Sequence, residues 1–262
     1  MQEVNGLAYE AVGEGEPVLL IHGSLIADAF VPFTAQPVLT ESFRLIRYRR
    51  RGFAGGQPPA SSSGLAAQVH DARMLLEHLG VEWAHVVGHS FGGLVATQLA
   101  LDEPALVQTL VLLEPGLFTR AEARAFFESF SPLQELHRAG DSATAADLFL
   151  SNGGQVDWRA ELAETVPGGA EQAIADAATL FEVDIPAGQG RTFDADGERL
   201  PMPVLHVSGA ESSFPNRRAV IETTAPHLED VEIADVHHGL QMVRPAAVAD
   251  AIAAFLLRHR FA

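Results

Sequence analysis

Residues 86–94 read VVGHSFGGL, a Gly-x-Ser-x-Gly motif that stands between a short apolar run and a helical pattern. A serine on a sharp strand-to-helix turn has its hydroxyl pushed into a cleft, where a histidine can remove its proton. Glycines on both sides fit such a turn, because side chains would collide with the strand and the helix. The amide hydrogens at the start of the helix suit a developing negative charge. The motif therefore predicts Ser90 as a nucleophile, and the alternative is a structural turn that arose by chance.

Short apolar runs alternate with helical patterns on both sides of this motif, which is typical of a mostly parallel sheet covered by helices. The predicted strands are 7–12 (in an N-terminal hairpin), 18–21, 43–48, 84–87, 109–113, 204–207 and 231–233. The predicted helices outside the middle of the chain are 64–79, 91–101, 216–224 and 246–260. We therefore predict an α/β fold, with a mostly parallel central sheet and helices on both of its faces.

The middle of the chain lacks strand alternation and reads as short helices, separated by breaks that contain glycine or proline. These helices are predicted at 120–130, 132–138, 142–150, 158–166 and 169–181. A helical insertion of this kind is expected over the carboxyl ends of the strands, where α/β sheets bind ligands. We predict a sheet domain built from residues 1–116 and 200–262, with an all-helical cap at 117–199.

The composition excludes several classes of function. The 262 residues include 17 basic and 34 acidic ones, a net charge of -17, so nucleic acid would be repelled and is not expected as a partner. All basic residues are arginine and cysteine is absent, which excludes lysine chemistry, thiol nucleophiles and disulfides. No run approaches the ~18 apolar residues of a membrane span, and no secretory signal is visible at the start. We expect a cytoplasmic monomer or homodimer that does not bind membranes.

Residues 21–24, IHGS, follow a predicted strand, and with the serine motif they make the chain similar to the α/β-hydrolase family. The resemblance covers nearly the whole chain and implies the α/β-hydrolase fold with an inserted helical cap. It also implies an oxyanion hole formed by the backbone amides of Ser24 and Phe91. Gly23 and Leu25, on either side of Ser24, are expected to contact the substrate. The histidine of this turn is expected to have a structural role.

Residues 47–56, RYRRRGFAGG, resemble a loop of the same family with the pattern Tyr-Asp-x-Arg-Gly-x-Gly-x-Ser. The sequence departs from that pattern at Arg49, Ala54 and Gly56, where aspartate, glycine and serine are usual. Two interpretations of the arginines from Arg49 to Arg51 stay open, a solvated cluster and a role in attracting anions.

The catalytic histidine is predicted from residues 235–239, DVHHG, which follow the last strand and precede the last helix. In the family this histidine stands about seven residues before a proline that opens the helix, and counting back from Pro245 gives His238. Adjacent residues of an extended segment point in opposite directions, so only one of the two histidines can face Ser90. His238 is therefore favoured as the base, and His237 is the alternative.

Several residues are candidates for the acidic partner of the histidine, the third member of a catalytic triad with Ser90 and His238. The family usually places it three residues after a glycine beyond the strand at 204–207, and that position here is the uncharged Ser212. Glu114 ends the preceding strand, where a carboxylate needs a partner because the strand is apolar and buried. A minority of the family carries its acid there, and this position resembles that of zearalenone-type lactone hydrolases. Glu114 is favoured over a helix-capping role, and the other candidates are Glu211 and, more weakly, Asp194 and Asp196.

The cap and its approaches are rich in large apolar side chains. They include Leu117, Phe118, Phe126, Phe127, Phe130, Leu133, Phe149, Trp158, Leu180 and Phe181. Any single one is more typical of core packing, because helices dock through an apolar stripe. As a group they predict a roomy apolar pocket, with Phe118, Phe127 and Trp158 as candidate substrate contacts. A small hydrophobic ester or lactone fits such a pocket better than a charged metabolite.

These residues predict a serine hydrolase that forms an acyl-enzyme on Ser90, with His238 as the base and Glu114 as the acid. No metal or organic cofactor is needed, and no metal-ligand spacing is visible. Carbon–carbon bond hydrolysis by the same triad and a small-molecule receptor with slow turnover are the alternatives. A purely structural or partner-binding protein would have a damaged serine turn. Dehalogenase and epoxide hydrolase chemistry is disfavoured, because both need a carboxylate nucleophile at this position.

Overall fold

Eight strands form one sheet within residues 1–56, 64–151, 157–194 and 198–260, the part of the chain that the computed structural model describes. The strands are β1 (Gln2–Val4), β2 (Leu7–Val12), β3 (Glu16–Ile21), β4 (Phe43–Tyr48), β5 (Ala84–His89), β6 (Val107–Leu113), β7 (Val204–Gly209) and β8 (Leu228–Ile233). Their order is β1-β2-β4-β3-β5-β6-β7-β8. The β1–β2 and β2–β4 pairs are antiparallel and the others are parallel. The predicted fold class is confirmed.

Helices cover both faces of this sheet. One face carries α3 (Leu65–His78), α4 (Phe91–Asp102) and α12 (Arg218–Glu222). The other face carries α1 (Val31–Thr34), α2 (Pro37–Thr40), α13 (Leu240–Val243) and α14 (Pro245–Arg258). Successive strand residues point to opposite faces, so Val86 lies in the first core and Val87 in the second. Because both faces are buried, the central strands read as continuous apolar runs.

The helices described between β6 and β7 form the cap. They are α5 (Arg120–Glu128), α6 (Ser131–Arg138), α7 (Ser142–Ser151), α8 (Trp158–Thr165), α9 (Gly169–Ala175), α10 (Ala177–Thr179), a π-helix (Leu180–Asp184) and α11 (Ile185–Gln189). A third hydrophobic cluster holds them together and includes Leu25 and Ile26 from the loop after β3. Thr119 and Glu122 form a capping box before α5, and Asp157 caps α8. The division into domains stays a prediction.

The predicted single helix at 169–181 is wrong, because the helix is interrupted at Asp176 and changes to a π-helix at Leu180. α9 ends at Ala175, α10 is a short turn, and the chain continues as the π-helix before α11. Pro186 lies in the first turn of α11 and has no amide hydrogen, so it cannot donate the regular hydrogen bond to the preceding turn. A π-helix accommodates such a mismatch and is frequent at functional sites.

Smaller differences concern the ends of elements. β8 begins at Leu228 rather than at 231, and the predicted helix 216–224 is limited to α12. The short helices α1, α2 and α13 were not predicted, because four residues are too few to show a periodic pattern. No helix in the described part of the chain has the length and apolar character to cross a membrane.

Candidate active site

Ser90 lies in the turn between β5 and α4, at the carboxyl edge of the sheet. Its φ of 52° and ψ of -120° are strained for a residue with a side chain, as in a nucleophile turn. A Cβ on Gly88 would lie 2.5 Å from the carbonyl oxygen of Gly92, and a Cβ on Gly92 would collide with that of Ile21. The predicted reason for the two glycines, lack of room beside the strand and the helix, is confirmed.

Glu114 follows β6 and accepts three hydrogen bonds. His238 Nδ1 lies 2.5 Å from its Oε2, the Ser212 hydroxyl donates to the same oxygen at 2.7 Å, and the Gly209 amide donates to Oε1 at 2.8 Å. Burial by itself would raise the pKa of Glu114, but these hydrogen bonds outweigh it and hold the pKa below its usual value. The carboxylate is therefore charged at neutral pH. It assigns the proton of His238 to Nδ1 and leaves Nε2 as the basic nitrogen.

Two aromatic rings hold the imidazole of His238. Phe214 stacks on it, with the ring centroids 4.5 Å apart and the planes inclined by 26°. The ring of His89 lies 4.7 Å from it, and His89 Nε2 is 2.9 Å from the backbone oxygen of His238. Burial, followed by the neighbouring His238, lowers the pKa of His89 to about 3, so His89 is neutral and donates from Nε2. Phe214 carries no motif that would predict its role from the sequence, although it stands two residues after Ser212.

The alternative candidates for the base and the acid are bonded to other partners or are exposed. His237 Nε2 lies 2.7 Å from the carboxylate of Glu161 in the cap, so the two adjacent histidines have separate partners. The side chain of Glu211 is exposed. Asp194 accepts a backbone hydrogen bond at the start of α5 at 3.1 Å, and Asp196 lies outside the described residues. Of the candidate acids among the described residues, the structure brings Glu114 to His238.

The turn after β3 brings Ser24 to the nucleophile. Ser24, Ser90 and Phe91 line the same cavity, and a Cβ on Gly23 would lie 3.0 Å from the Cβ of Ser90. Within the described residues, neither the Ser24 nor the Phe91 amide donates a hydrogen bond to another backbone oxygen. Both amides are therefore available to an oxyanion. Burial holds the pKa of His22 well below its usual value, and its Nε2 accepts a backbone hydrogen bond at 2.9 Å, which fits a structural role.

A cavity of about 320 Å³ adjoins Ser90 and His238. Phenylalanine rings form much of its wall, which includes Phe118, Phe126, Phe127, Phe130, Phe149 and Phe214. Most of these rings also touch one another, so the wall is a connected aromatic surface. Among the described residues, no group of three or more histidine, aspartate or glutamate side chains could hold a metal ion.

Two of the five predicted substrate contacts, Phe118 and Phe127, line this cavity. The other three do not. Trp158 packs inside the cap and its Nε1 donates to a carboxylate of α7 at 3.1 Å, because the cap helices need an apolar core of their own. Leu25 is fully buried and lines a separate cavity of about 160 Å³. Gly23 packs against the serine turn, where there is no room for a substrate.

The three consecutive arginines all form ion pairs. Arg49 and Arg51 each pair with an aspartate, at 2.6 and 2.7 Å. Arg50 is only 1% exposed and pairs with Asp184 of the cap at 2.8 Å. The interpretation as a solvated cluster is therefore wrong for Arg50. Attraction of anions is not supported either, because each guanidinium already has a carboxylate partner.

The strand order, the strained serine turn and the carboxylate–histidine pair define an α/β-hydrolase type of protein. A family model described as the alpha/beta hydrolase fold matches residues 16–152, and the chain belongs to this family. The chain is similar to RutD of Variovorax paradoxus (strain S110), which carries the provisional name carbamate hydrolase. The two are 30% identical over 239 residues, which cover 89% of this chain and 88% of that protein.

Two solved structures share the fold. A thermophilic esterase from Thermogutta terrifontis, with malate bound, superposes with a TM-score of 0.82 at 24% identity, covering 97% of this chain and 94% of that one. Est816, described as an N-acyl homoserine lactone degrading enzyme, superposes with a TM-score of 0.69 at 23% identity, covering 97% and 98%. At these identities the likeness concerns the fold alone.

Proposed function

We propose that the chain is a serine hydrolase that cleaves hydrophobic esters or lactones through an acyl-enzyme on Ser90. The observation that carries the proposal is the buried Glu114–His238 pair at the same edge of the sheet as the strained turn of Ser90. Backbone strain of this kind costs ~1–3 kcal/mol, so it persists only where the surroundings enforce it. A strained serine beside a histidine that a carboxylate orients is the arrangement by which serine hydrolases activate a hydroxyl.

In the proposed reaction, His238 Nε2 removes the proton of Ser90 as the serine oxygen attacks the acyl carbonyl. Glu114 stays ionised and stabilises the imidazolium that forms. The amides of Ser24 and Phe91 hold the oxyanion, a contribution of ~3 kcal/mol per donor. The alcohol leaves with the proton from His238. A water molecule activated by the same nitrogen then cleaves the acyl-enzyme.

The cavity supports a neutral hydrophobic substrate of modest size. Its volume of about 320 Å³ is at the lower end of the usual range for ligand pockets. The phenylalanine wall favours aromatic or aliphatic groups, because their apolar surface leaves water on binding. The carboxylate of Asp184, among the described lining residues, is already paired with the buried Arg50, so it offers a charged substrate no free partner.

The names of three relatives support hydrolysis of an acyl bond, whereas others are named epoxide hydrolases. The Thermogutta structure is named an esterase, Est816 is named for lactone degradation and RutD for carbamate hydrolysis. The position of Glu114 also resembles that of zearalenone-type lactone hydrolases. In esters and lactones alike, Ser90 would attack the carbonyl carbon and the acyl–oxygen bond would break, so these compounds are the first candidates.

The test is turnover by purified protein of p-nitrophenyl esters of increasing chain length, N-acyl homoserine lactones, a macrolactone and an alkyl carbamate. Ser90→Ala should abolish turnover and leave the thermal unfolding temperature near that of wild type. Ser151→Ala, in the cap helix α7, is the matched control and should keep full activity. The chain-length profile of the esters then measures the depth of the cavity.

Substantial ester turnover by Ser90→Ala would contradict the nucleophile. Wild type without turnover of any ester or lactone would contradict the proposed function. In that case carbamate turnover, cleavage of a carbon–carbon bond or tight binding without turnover would each identify a different member of the fold family.

A further inference from the structure

A buried ion pair connects the sheet to the cap beside the candidate oxyanion hole. Arg50, after β4, donates from two nitrogens to Asp184 at the end of the π-helix, at 3.0 and 2.8 Å, and each side chain is only 1% exposed. Gln68 of α3 accepts from Arg50 and donates to Asp184 at 3.1 Å. The hydroxyl of Ser24 donates to Asp184 at 2.7 Å. The carboxylate of Asp184 thus accepts four hydrogen bonds and has no further capacity for a substrate.

The same guanidinium contacts both halves of the oxyanion hole. It donates to the carbonyl oxygen of Gly23 at 2.9 Å and to that of His22 at 3.0 Å. Its central carbon lies 4.9 Å from the ring centroid of Phe91. The turn after β3 is therefore held from the sheet side by the arginine, and from the cap side by the hydrogen bond of the Ser24 hydroxyl.

Stability alone accounts poorly for this pair. Burying an ion pair seldom stabilises a protein, because the loss of hydration offsets most of the attraction. Position is the better explanation, since a buried pair with all its hydrogen bonds made permits one arrangement of the groups around it. A misplacement of about 1 Å can cost a catalytic site about 100-fold in rate, so a rigidly held donor matters.

We propose that Asp184 and Arg50 are positioning residues that fix the amide of Ser24 in the geometry an oxyanion requires. The π-helix supplies Asp184, so the oxyanion hole is complete only while this part of the cap is seated on the sheet. Leu180 and Ile185, at the start of the π-helix and just after it, line the cavity. Substrate that fills the cavity therefore holds in place the segment on which the oxyanion hole depends. This inference rests on the proposed function.

The first test compares Ser24→Ala, which keeps the backbone amide, with Asp184→Asn. Both variants should lower kcat for a p-nitrophenyl ester by about 10- to 100-fold and change KM little, because the donor is used in the transition state. In the double variant, Ser24→Ala should cost less than it does in wild type, since the hydrogen bond it removes is already damaged. Ser24→Thr keeps a hydroxyl and should restore most of kcat relative to Ser24→Ala.

The matched control is the ion pair of Arg51 and Asp71, which belongs to the same loop and does not contact the turn after β3. Arg51→Gln and Asp71→Asn should lower the thermal unfolding temperature without a specific loss of kcat. Equal losses of kcat from the two pairs, in proportion to the loss of stability, would overturn the inference in favour of a structural role.

Hydrogen–deuterium exchange provides a readout that does not need turnover. In Asp184→Asn, the amides of 22–25 and of 180–189 should exchange faster than in wild type, and those of α14 should not. Unchanged exchange in 22–25 would overturn the inference. If Asp184→Asn does not fold, the same measurement on Ser24→Ala and Ser24→Thr decides whether the hydrogen bond of the Ser24 hydroxyl holds the turn. Faster exchange of 22–25 in Ser24→Ala than in Ser24→Thr supports the inference, and equal exchange would overturn it. A wild type without ester turnover would contradict the proposed function, and the exchange result would still decide whether this pair holds the turn.

Discussion

The carboxyl ends of the neighbouring strands β6 and β7 differ in what they offer His238. The end of β6 provides Glu114, which is 3% exposed and bonded to the imidazole. The end of β7 provides Ser212, at the position where the family usually has its acid, and the exposed Glu211. Both ends reach the same place because parallel neighbours end at one edge of the sheet. The difference teaches that the candidate acid is identified by its contact with the imidazole rather than by the strand that carries it.

The serine at the end of β7 has a definite role in this arrangement. Its hydroxyl donates to Glu114 Oε2 and accepts from the amide of Phe214, whose ring stacks on His238. The position at which the family usually has its acid thus carries a hydroxyl that donates to the candidate acid. The long glutamate side chain from β6 and the short serine from β7 together occupy the space between the two strand ends and the imidazole.

Loss of the carboxylate at the end of β6 should have the largest effect. Glu114→Gln should lower kcat for esters by about 10³- to 10⁴-fold, because an amide neither stabilises the imidazolium nor fixes its tautomer. Glu211→Gln is the matched control at the end of β7 and should keep kcat unchanged. Steady-state kinetics on folded protein measures both variants. The reverse result would move the acid to β7.

Moving the acid from β6 to β7 is the sharper test of the comparison. Ser212→Asp, introduced into Glu114→Gln, should recover about tenfold or more of the lost kcat, because the new carboxylate can reach the imidazole. Ser213→Asp in the same background is the control for a carboxylate at a neighbouring position and should recover nothing. Failure of Ser212→Asp to recover activity would mean that only the end of β6 can hold the acid in this chain.

The hydroxyl of Ser212 should contribute less to kcat than the carboxylate of Glu114. Ser212→Ala removes one donor to Glu114, and a hydrogen bond of this kind corresponds to a loss of about fivefold in kcat. Ser212→Thr keeps the hydroxyl and is the control. A loss in Ser212→Ala as large as that in Glu114→Gln would show that the serine, and not only the carboxylate, decides the orientation of His238.

The carboxylate at the end of β6 should also make the free energy of unfolding depend on pH. The folded-state pKa of Glu114 lies below its usual value of 4.5, so its ionised form favours the folded state. That contribution to the free energy of unfolding is complete above the pKa of the unfolded chain and is lost as the pH falls through the folded-state value. In urea denaturation, wild type and Glu114→Gln should therefore differ most at neutral pH and converge on acidification. A difference that widens in acid would contradict the lowered pKa.

Much of the fold and part of the candidate site follow from local rules. The serine turn is predictable because its motif lies within five residues, although only the crowding at Gly88 is local and Gly92 is crowded by the end of β3. The sequence favours His238 as the candidate base because only a short segment, which contains α13, separates it from the proline that opens α14. The strand patterns are predictable because burial on both faces leaves continuous apolar runs.

The cap was less predictable. Its aromatic residues serve either its own core or the cavity, and the sequence pattern is the same for both. Trp158 lies in the core and Phe127 on the cavity wall, although both stand in amphipathic helices. The break after α9 was also missed, because it depends on the π-helix that carries Asp184 to its partner.

By itself, the sequence determined the strand pattern, the position of the serine turn and the preference for His238 as the candidate base, since each depends on neighbours within one or two elements. Only the tertiary structure decided that Glu114 rather than Glu211 reaches the imidazole, that Phe214 stacks on it and that Arg50 pairs with Asp184. These contacts join residues far apart in the chain. Their distances depend on how the strands are ordered in the sheet and how the cap sits on it, which no local pattern records.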